Sequence, residues 1–299
     1  MRKIIIIGGG AAGMFAAISA ADEHTEVHIY EHNEKLGKKL FITGKGRCNI
    51  TNGCDDVEEL LAHVVTNARF LYSAFYTFSN QDMMQFLSDQ GLKLKTERGQ
   101  RVFPVSDKSS DVIRTLERVL KDRGVYIHLR QEVKELLVEN GEICGIRLSD
   151  GQKVNADTVI IATGGMSYPS TGSTGDGYRM AEAAGHHVTK RVPSLVPMTV
   201  ADEWCPELQG LSLKNITFTM KCGKKNFYQE FGEMMFTHFG ITGPVVLSGS
   251  THLAPYLKKG TVTAEIDLKP SLTDEQLDAR LLRDFEKNIN KQIRNSLSE

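Results

Sequence analysis

The chain has 299 residues, 40% of them hydrophobic, with 36 Lys+Arg against 37 Asp+Glu and a formal net charge of -1. Such a length suggests about two domains and can bury roughly 75% of the surface that the unfolded chain exposes. The charge balance leaves no global field to recruit nucleic acid or an anionic membrane, and no apolar run approaches the ~18 residues of a spanning helix.

The opening MRKIIIIGGG begins as a signal peptide does, but its apolar run is short and breaks into glycines. It reads better as a buried strand over residues 3–7, β-branched on both faces as central parallel strands are. Small residues and helix formers follow, and TEVHIYE (25–31) is a second strand, so a β-α-β unit closes within ~30 residues. After a glycine-rich loop, the stretches 56–65, 67–78 and 80–91 read as consecutive helices, the last ended by Gly91. KLKTERGQRVFPVS is a strand pair around Arg98-Gly99, and residues 109–124 form a helix punctuated by Asp111 and Gly124. VYIHL resumes the parallel sheet. Residues 131–156 form a three-stranded meander with turns at Asn140-Gly141 and Asp150-Gly151, and DTVIIATGG is another buried strand.

Near Pro193 the composition shifts. Residues 193–271 hold VPMTV, LKNITFTMKC, KNFYQEF and TVTAEIDL, all strand-like, with one helical stretch over 244–257. The expected organisation is therefore a Rossmann-like α/β domain over 1–192, a β-rich domain over 193–271 and a helical segment over 272–299. That last segment carries Leu277, Leu281, Phe285 and Ile289 at four-residue spacing, with Lys287, Lys291 and Arg294 on a solvated or partner-facing side.

The five cysteines (Cys48, Cys54, Cys144, Cys205, Cys222) form no C-x-x-C pair. This argues against a disulfide framework and a structural zinc site, and fits a reducing cytoplasm. His24, His28 and His32 recur every four residues, yet they straddle a helix end and a strand. They share no helical face and read as scattered, solvent-facing side chains rather than metal ligands.

Gly8, Gly10 and Gly13 spell G-x-G-x-x-G between strand and helix, and Glu31 closes the next strand. Gly8 permits the tight turn, Gly10 lets a pyrophosphate approach the backbone, and Gly13 lets helix and strand pack closely. The helix N-terminus presents N–H groups to the anion, and an acid about 20 residues further on accepts ribose hydroxyls. A carboxylate there disfavours the 2′-phosphate of NADP. Three features favour FAD over NAD: the glycine-rich loop and helical excursion after the second strand, the strand at Val133 placed to clamp an adenine, and the small residues ending DTVIIATGG. The stretch TGKGRCNITN (43–52) is not a P-loop, because its spacing is wrong, Gly46 stands where Ser or Thr belongs and no helix follows directly. It reads either as a surface basic turn or as a loop whose N–H groups and Arg47 face a pyrophosphate or flavin ring.

The blocks IIIIGGGAAG, KLGKKLFITGKGRCNITN, GQRVFPVSDKSSDV, ATGGMSYPSTGSTGDGY and GEMMFTHFGITGPVVL, in this order along nearly the whole chain, resemble one bacterial family. It is the NAD(P)/FAD-dependent oxidoreductases, or aminoacetone-oxidase-like flavoproteins, which include bile-acid reductase relatives. The resemblance implies a Rossmann-type FAD domain interrupted by a barrel-like β insert plus a helical piece. It implies that Gly8, Gly10, Ala11, Ala12 and Gly13 hold the pyrophosphate, Glu31 the ribose and Val133 the adenine. It sets Lys39, Gly46, Arg47, Cys48 and Asn49 along the flavin, with Thr163, Gly164 and Gly165 passing near the cofactor. Chains of the family return to the FAD domain after the insert, and nothing after Leu268 reads as that return. The expectation is an incomplete chain, with a shorter but complete relative as the alternative.

The activity implied is a noncovalent flavin oxidoreductase acting on a small-molecule substrate, with electrons exchanged with NAD(P)H or oxygen and no nucleic-acid or membrane partner. A flavin-binding protein without turnover is the alternative, and an NAD-dependent dehydrogenase a weaker one. Four positions carry two readings. Cys48 is a flavin redox partner activated by Arg47 and Lys45, or a packing residue. Asp176 is a ribose acid, or a turn residue. His238, beside Thr237 in a glycine-bounded loop, is a general acid, or stabilises the turn. Tyr168-Pro169 shapes the loop after ATGG.

Overall fold

The computed structural model describes residues 1–293, in two compact units, the first Met1–Thr189 and the second beginning at Lys190. The final residues of the expected tail, Arg294 among them, lie outside the described residues.

The first unit is organised by a parallel sheet in the order β5-β2-β1-β9, formed by β1 (Arg2–Ile7), β2 (Thr25–Glu31), β5 (Tyr126–Leu129) and β9 (Thr158–Ile161). Alternation along β1 divides its isoleucines between two cores. Ile4 and Ile6, with Val27 and Ile29, pack against α1 (Ala11–Ala20) and α6 (Ser109–Asp122) through Met14, Ala17, Leu116 and Leu120. Ile5, Ile7 and Tyr30 face the antiparallel meander β6 (Val133–Glu139), β7 (Glu142–Leu148) and β8 (Lys153–Asn155), where Val133, Ile146 and Leu148 are buried. This two-faced burial is why the strand reads as a continuous apolar run.

Between β2 and β5 runs the excursion α2 (Lys38–Gly46), α3 (Val57–Ala62), α4 (Ala68–Thr77), α5 (Asn80–Asp89) and the hairpin β3 (Leu94–Glu97)–β4 (Arg101–Pro104). Asp56 caps α3 by accepting from Glu59 N–H, and Ser79 with Asp82 forms a reciprocal capping box on α5. The glycine-rich stretch differs from the expected loop. Lys38–Ile42 is helical, and the chain then leaves the helix at Thr43, with Gly44 and Lys45 in the left-handed region. The glycines obscured a run, KKLFI, of which all but Ile42 and Phe41 are good helix formers. α7 (Asp176–Ala183) closes the unit.

The second unit is a five-stranded antiparallel sheet in the order β10-β13-β12-β11-β14: β10 (Met198–Thr199), β11 (Ser212–Cys222), β12 (Lys225–Thr237), β13 (Gly240–Thr242) and β14 (Val262–Asp267). α8 (Pro244–Leu257) lays Val245 and Val246 onto Ile216, Phe218, Met220 and Met234. The segment MMFTHFGITGP is not a free loop: β12 continues to Thr237 and turns tightly through His238-Phe239 into β13. α9 (Asp274–Lys287) follows, capped by Thr273 and Gln276. Among the described residues no helix is long and apolar enough to cross a membrane.

Candidate cofactor site

A cavity of about 590 Å³ opens at the carboxyl ends of β1, β2 and β9, where parallel α/β sheets hold ligands. Gly8, with φ +106°, turns the chain out of β1 and donates its N–H to Tyr30 O at 2.8 Å. A Cβ on Gly13 would lie 1.9 Å from Gly8 O, so helix and strand meet there backbone to backbone. Gly10 is the opposite case, because a Cβ there would meet nothing within 4 Å. The open space lies over the N-terminus of α1, which has no side-chain cap and no acid in its first turn. The first intrahelical donor is Met14, to Gly10 O at 2.9 Å. The amides of Ala11, Ala12 and Gly13 precede it, so this helix end carries partial positive charge that no acid of its own first turn answers.

Glu31 ends β2 as a buried carboxylate. Its Oε2 accepts Gly9 N–H at 2.7 Å, and its Oε1 accepts the N–H and Nδ2 of Asn33 at 2.8 and 2.7 Å. It thereby ties the glycine turn to the end of β2, and Oε2, which accepts a single bond, keeps a lone pair for a further hydroxyl. On the neighbouring wall Val133 is buried at the start of β6, and Gln131 N–H bonds Glu31 O at 3.0 Å. At the other end, Lys39 Nζ donates to Ser167 O at 2.8 Å and to Ser173 Oγ at 2.5 Å, close to Gly164. Partial burial pushes its amine below the ordinary lysine value.

Of the residues expected at a cofactor, Gly8, Gly10, Ala11, Ala12, Glu31, Lys39, Val133, Thr163 and Gly164 line this one cavity. Gly13 sits behind it as a packing position. Gly46, Arg47, Cys48, Asn49 and Gly165 are not part of its lining. Arg47 turns to carboxylates instead: its guanidinium bonds Asp107 Oδ1 at 2.7 Å and Glu97 Oε1 at 2.5 Å. Of its two readings, Cys48 takes the packing one. Its side chain is 1% exposed, inside the core with Met14 and Leu36, and burial pushes its thiol up rather than down.

The lining also includes Asn33, Lys38, Thr43, Ser173 and Met180, which sequence reasoning did not single out. Asp176 lines the cavity too, as the first residue of α7, where Gly175 holds the capping position. His28 corrects the solvent-facing expectation. It is 7% exposed, and its Nδ1 bonds His128 Nε2 at 2.9 Å while its Nε2 bonds Glu26 Oε1 at 2.6 Å. Among the described residues, no group of three or more His, Cys, Asp or Glu could hold a metal ion, and the five cysteines are free.

The family described as the HI0933-like protein Rossmann domain matches residues 2–264. The chain belongs to this family. Within curated relatives, this HI0933-like chain is 34% identical over 281 residues to the 3-dehydro-bile acid delta(4,6)-reductase of Clostridium scindens, covering 93% of the chain and 67% of that protein. It is also 34% identical over 277 residues to the ribosomal RNA dihydrouridine synthase of Haemophilus influenzae, covering 91% of the chain and 65% of that protein. The chain thus spans about two thirds of the length of the curated relatives it matches. Among solved structures, the open conformation of a flavocytochrome c3 fumarate reductase aligns with a TM-score of 0.51 at 19% identity, over 72% of this chain and 47% of that one. The shared fold is the Rossmann-type domain of FAD-binding flavoproteins.

Proposed function

We propose that the chain is the FAD-holding part of an oxidoreductase that binds the flavin noncovalently and reduces or oxidises a small molecule. The observation that carries this is the uncapped α1 N-terminus beneath the open space at Gly10, in one cavity with Glu31 and Val133. These residues fit the group. The first-turn amides of α1 would hold the pyrophosphate, Glu31 the ribose hydroxyls and Val133 the adenine edge, and the volume lies in the ~300–1,000 Å³ range of ligand sites. Bound FAD would supply two-electron transfer, while this chain's residues orient it and exclude water. Lys39 sets a cation beside the Gly164 turn.

The names of two relatives at equal identity describe hydrogenation of a ring double bond, in a steroid and in a uridine. We extend that reaction class, with NAD(P)H as electron donor, to this chain. A small-molecule substrate is favoured over RNA because the net charge of -1 provides no field for a polyanion. Anaerobic mixing of the FAD-loaded protein with NADH and NADPH tests the assignment. Bleaching of the flavin band by either nucleotide is expected of a reductase, whereas a flavin carrier without turnover would keep its colour with both.

A further inference from the structure

Arg47 lies in the glycine-rich stretch that follows the helical part of α2, and its surroundings are unusual for a cofactor ligand. Its guanidinium is shared between Glu97 on β3 and Asp107 after β4, and stacks over the Phe103 ring with its Cζ 4.0 Å from the centroid. Lys95 Nζ joins the same two acids, at 2.6 Å from Asp107 Oδ2 and 3.6 Å from Glu97 Oε1. The cation is therefore already neutralised, with carboxylates on two sides and an aromatic face on a third. An anion approaching it would compete with both acids.

The backbone beside Arg47 needs such a hold. Gly44, Lys45, Gly46 and Cys48 all have positive φ, at 55°, 58°, 84° and 61°, and two of the four are not glycine. Left-handed backbone at non-glycine residues persists only where surrounding structure over-determines it. The cluster supplies that from one side. From the other, Cys48 is anchored in the core and Ile50 N–H bonds Val102 O at 2.8 Å. Upstream, the same stretch carries Leu40 and Thr43, which line the cavity.

We propose that Arg47 is a positioning residue: with Glu97, Asp107 and Lys95 it forms an ionic clasp that fastens residues 43–49 to the β3–β4 hairpin and so fixes the α2 wall of the cofactor cavity. The alternative, direct contact between Arg47 and a cofactor anion, predicts the opposite sign when the carboxylates are removed. Freed of Glu97 or Asp107, an anion-binding Arg47 would hold its ligand as well or better.

For its affinity readout the proposal rests on the FAD reading. The test titrates FAD into the full chain and its variants Arg47→Ala, Arg47→Lys, Glu97→Gln, Asp107→Asn and the Arg47→Ala/Glu97→Gln double, followed by flavin fluorescence. The clasp predicts that the Ala, Gln and Asn variants each weaken FAD about 3- to 10-fold, that the double loses no more than Arg47→Ala alone, and that Arg47→Lys recovers part of the loss. Carboxylate variants that bind FAD as tightly as the parent, or more tightly, overturn it. Amide hydrogen exchange over residues 43–49 without cofactor gives an independent reading. Faster exchange in Arg47→Ala, Glu97→Gln and Asp107→Asn supports the clasp, and unchanged exchange in them overturns it even if the parent takes up no FAD, which would count against the cofactor assignment alone.

Discussion

A single methyl group added at Gly10 and at Gly13 should have opposite consequences, and the contrast isolates the anion site from the fold. At Gly13 the new Cβ would lie 1.9 Å from Gly8 O and 3.0 Å from Gly8 C, against backbone that cannot rotate away. Overpacking of this kind costs about 1–3 kcal/mol, and the upper end applies because the partner is main chain. Alanine recovers about 1 kcal/mol of helix propensity, leaving a net loss of about 2 kcal/mol, or roughly 4–8 °C in the melting of the first unit. At Gly10 the Cβ meets nothing within 4 Å and φ is an ordinary -80°. Alanine is a poorer N-cap than glycine, by about 1 kcal/mol at most, so the thermal transition should move by no more than about 2–4 °C.

Ligand binding should rank the two differently. The Gly10 methyl occupies the space through which a pyrophosphate reaches the first-turn amides. Loss of one charge-assisted bond, about 1.5–3 kcal/mol, weakens FAD by about 10- to 100-fold. Differential scanning fluorimetry without FAD and fluorescence titration with it measure both quantities on the same samples. A Gly10→Ala chain that keeps the parent's FAD affinity would refute the placement of the pyrophosphate at α1.

Glu31→Gln turns an acceptor-only group into one with an NH₂ that faces donors from Gly9 and Asn33; unfolding by urea should show a loss of about 1–3 kcal/mol, together with weaker FAD binding. Titration of native protein with a thiol reagent at pH 7 should leave Cys48, Cys54 and Cys205 unreacted, since all three are buried and burial raises each thiol; labelled peptides containing Cys48 before unfolding would contradict this. Hydrogen bonds to Arg47 and Lys95 respectively hold Glu97 and Asp107 below their ordinary 4.5 and 3.8. Their contribution is therefore complete above those values and is lost as pH falls through the lowered ones, so Glu97→Gln/Asp107→Asn should be less stable than the parent at pH 7, and the difference should shrink as acid protonates the two carboxylates in a melting series.

What the sequence makes legible is what depends on local spacing. Gly8, Gly10 and Gly13 announce the turn because each glycine answers a requirement within a few residues, and β2 and α8 are found at their observed limits from strand and helix patterns alone. The clasp is not legible, since Arg47 finds Glu97 and Asp107 at separations of 50 and 60 residues and nothing near Arg47 encodes them. His28 is hidden for the same reason. Its partner His128 stands 100 residues away on β5, so a polar residue in a strand read as solvent-facing proves to be buried. The cavity wall at Ser173 likewise depends on Lys39 reaching it across 134 residues.

The central claim is that this cavity holds FAD, and the visible spectrum of the purified chain after incubation with FAD and gel filtration tests it most directly. The account predicts a yellow protein with flavin absorption near 450 nm, close to one FAD per chain by order of magnitude, and far less in Gly10→Ala. A chain that elutes colourless after that incubation would contradict it.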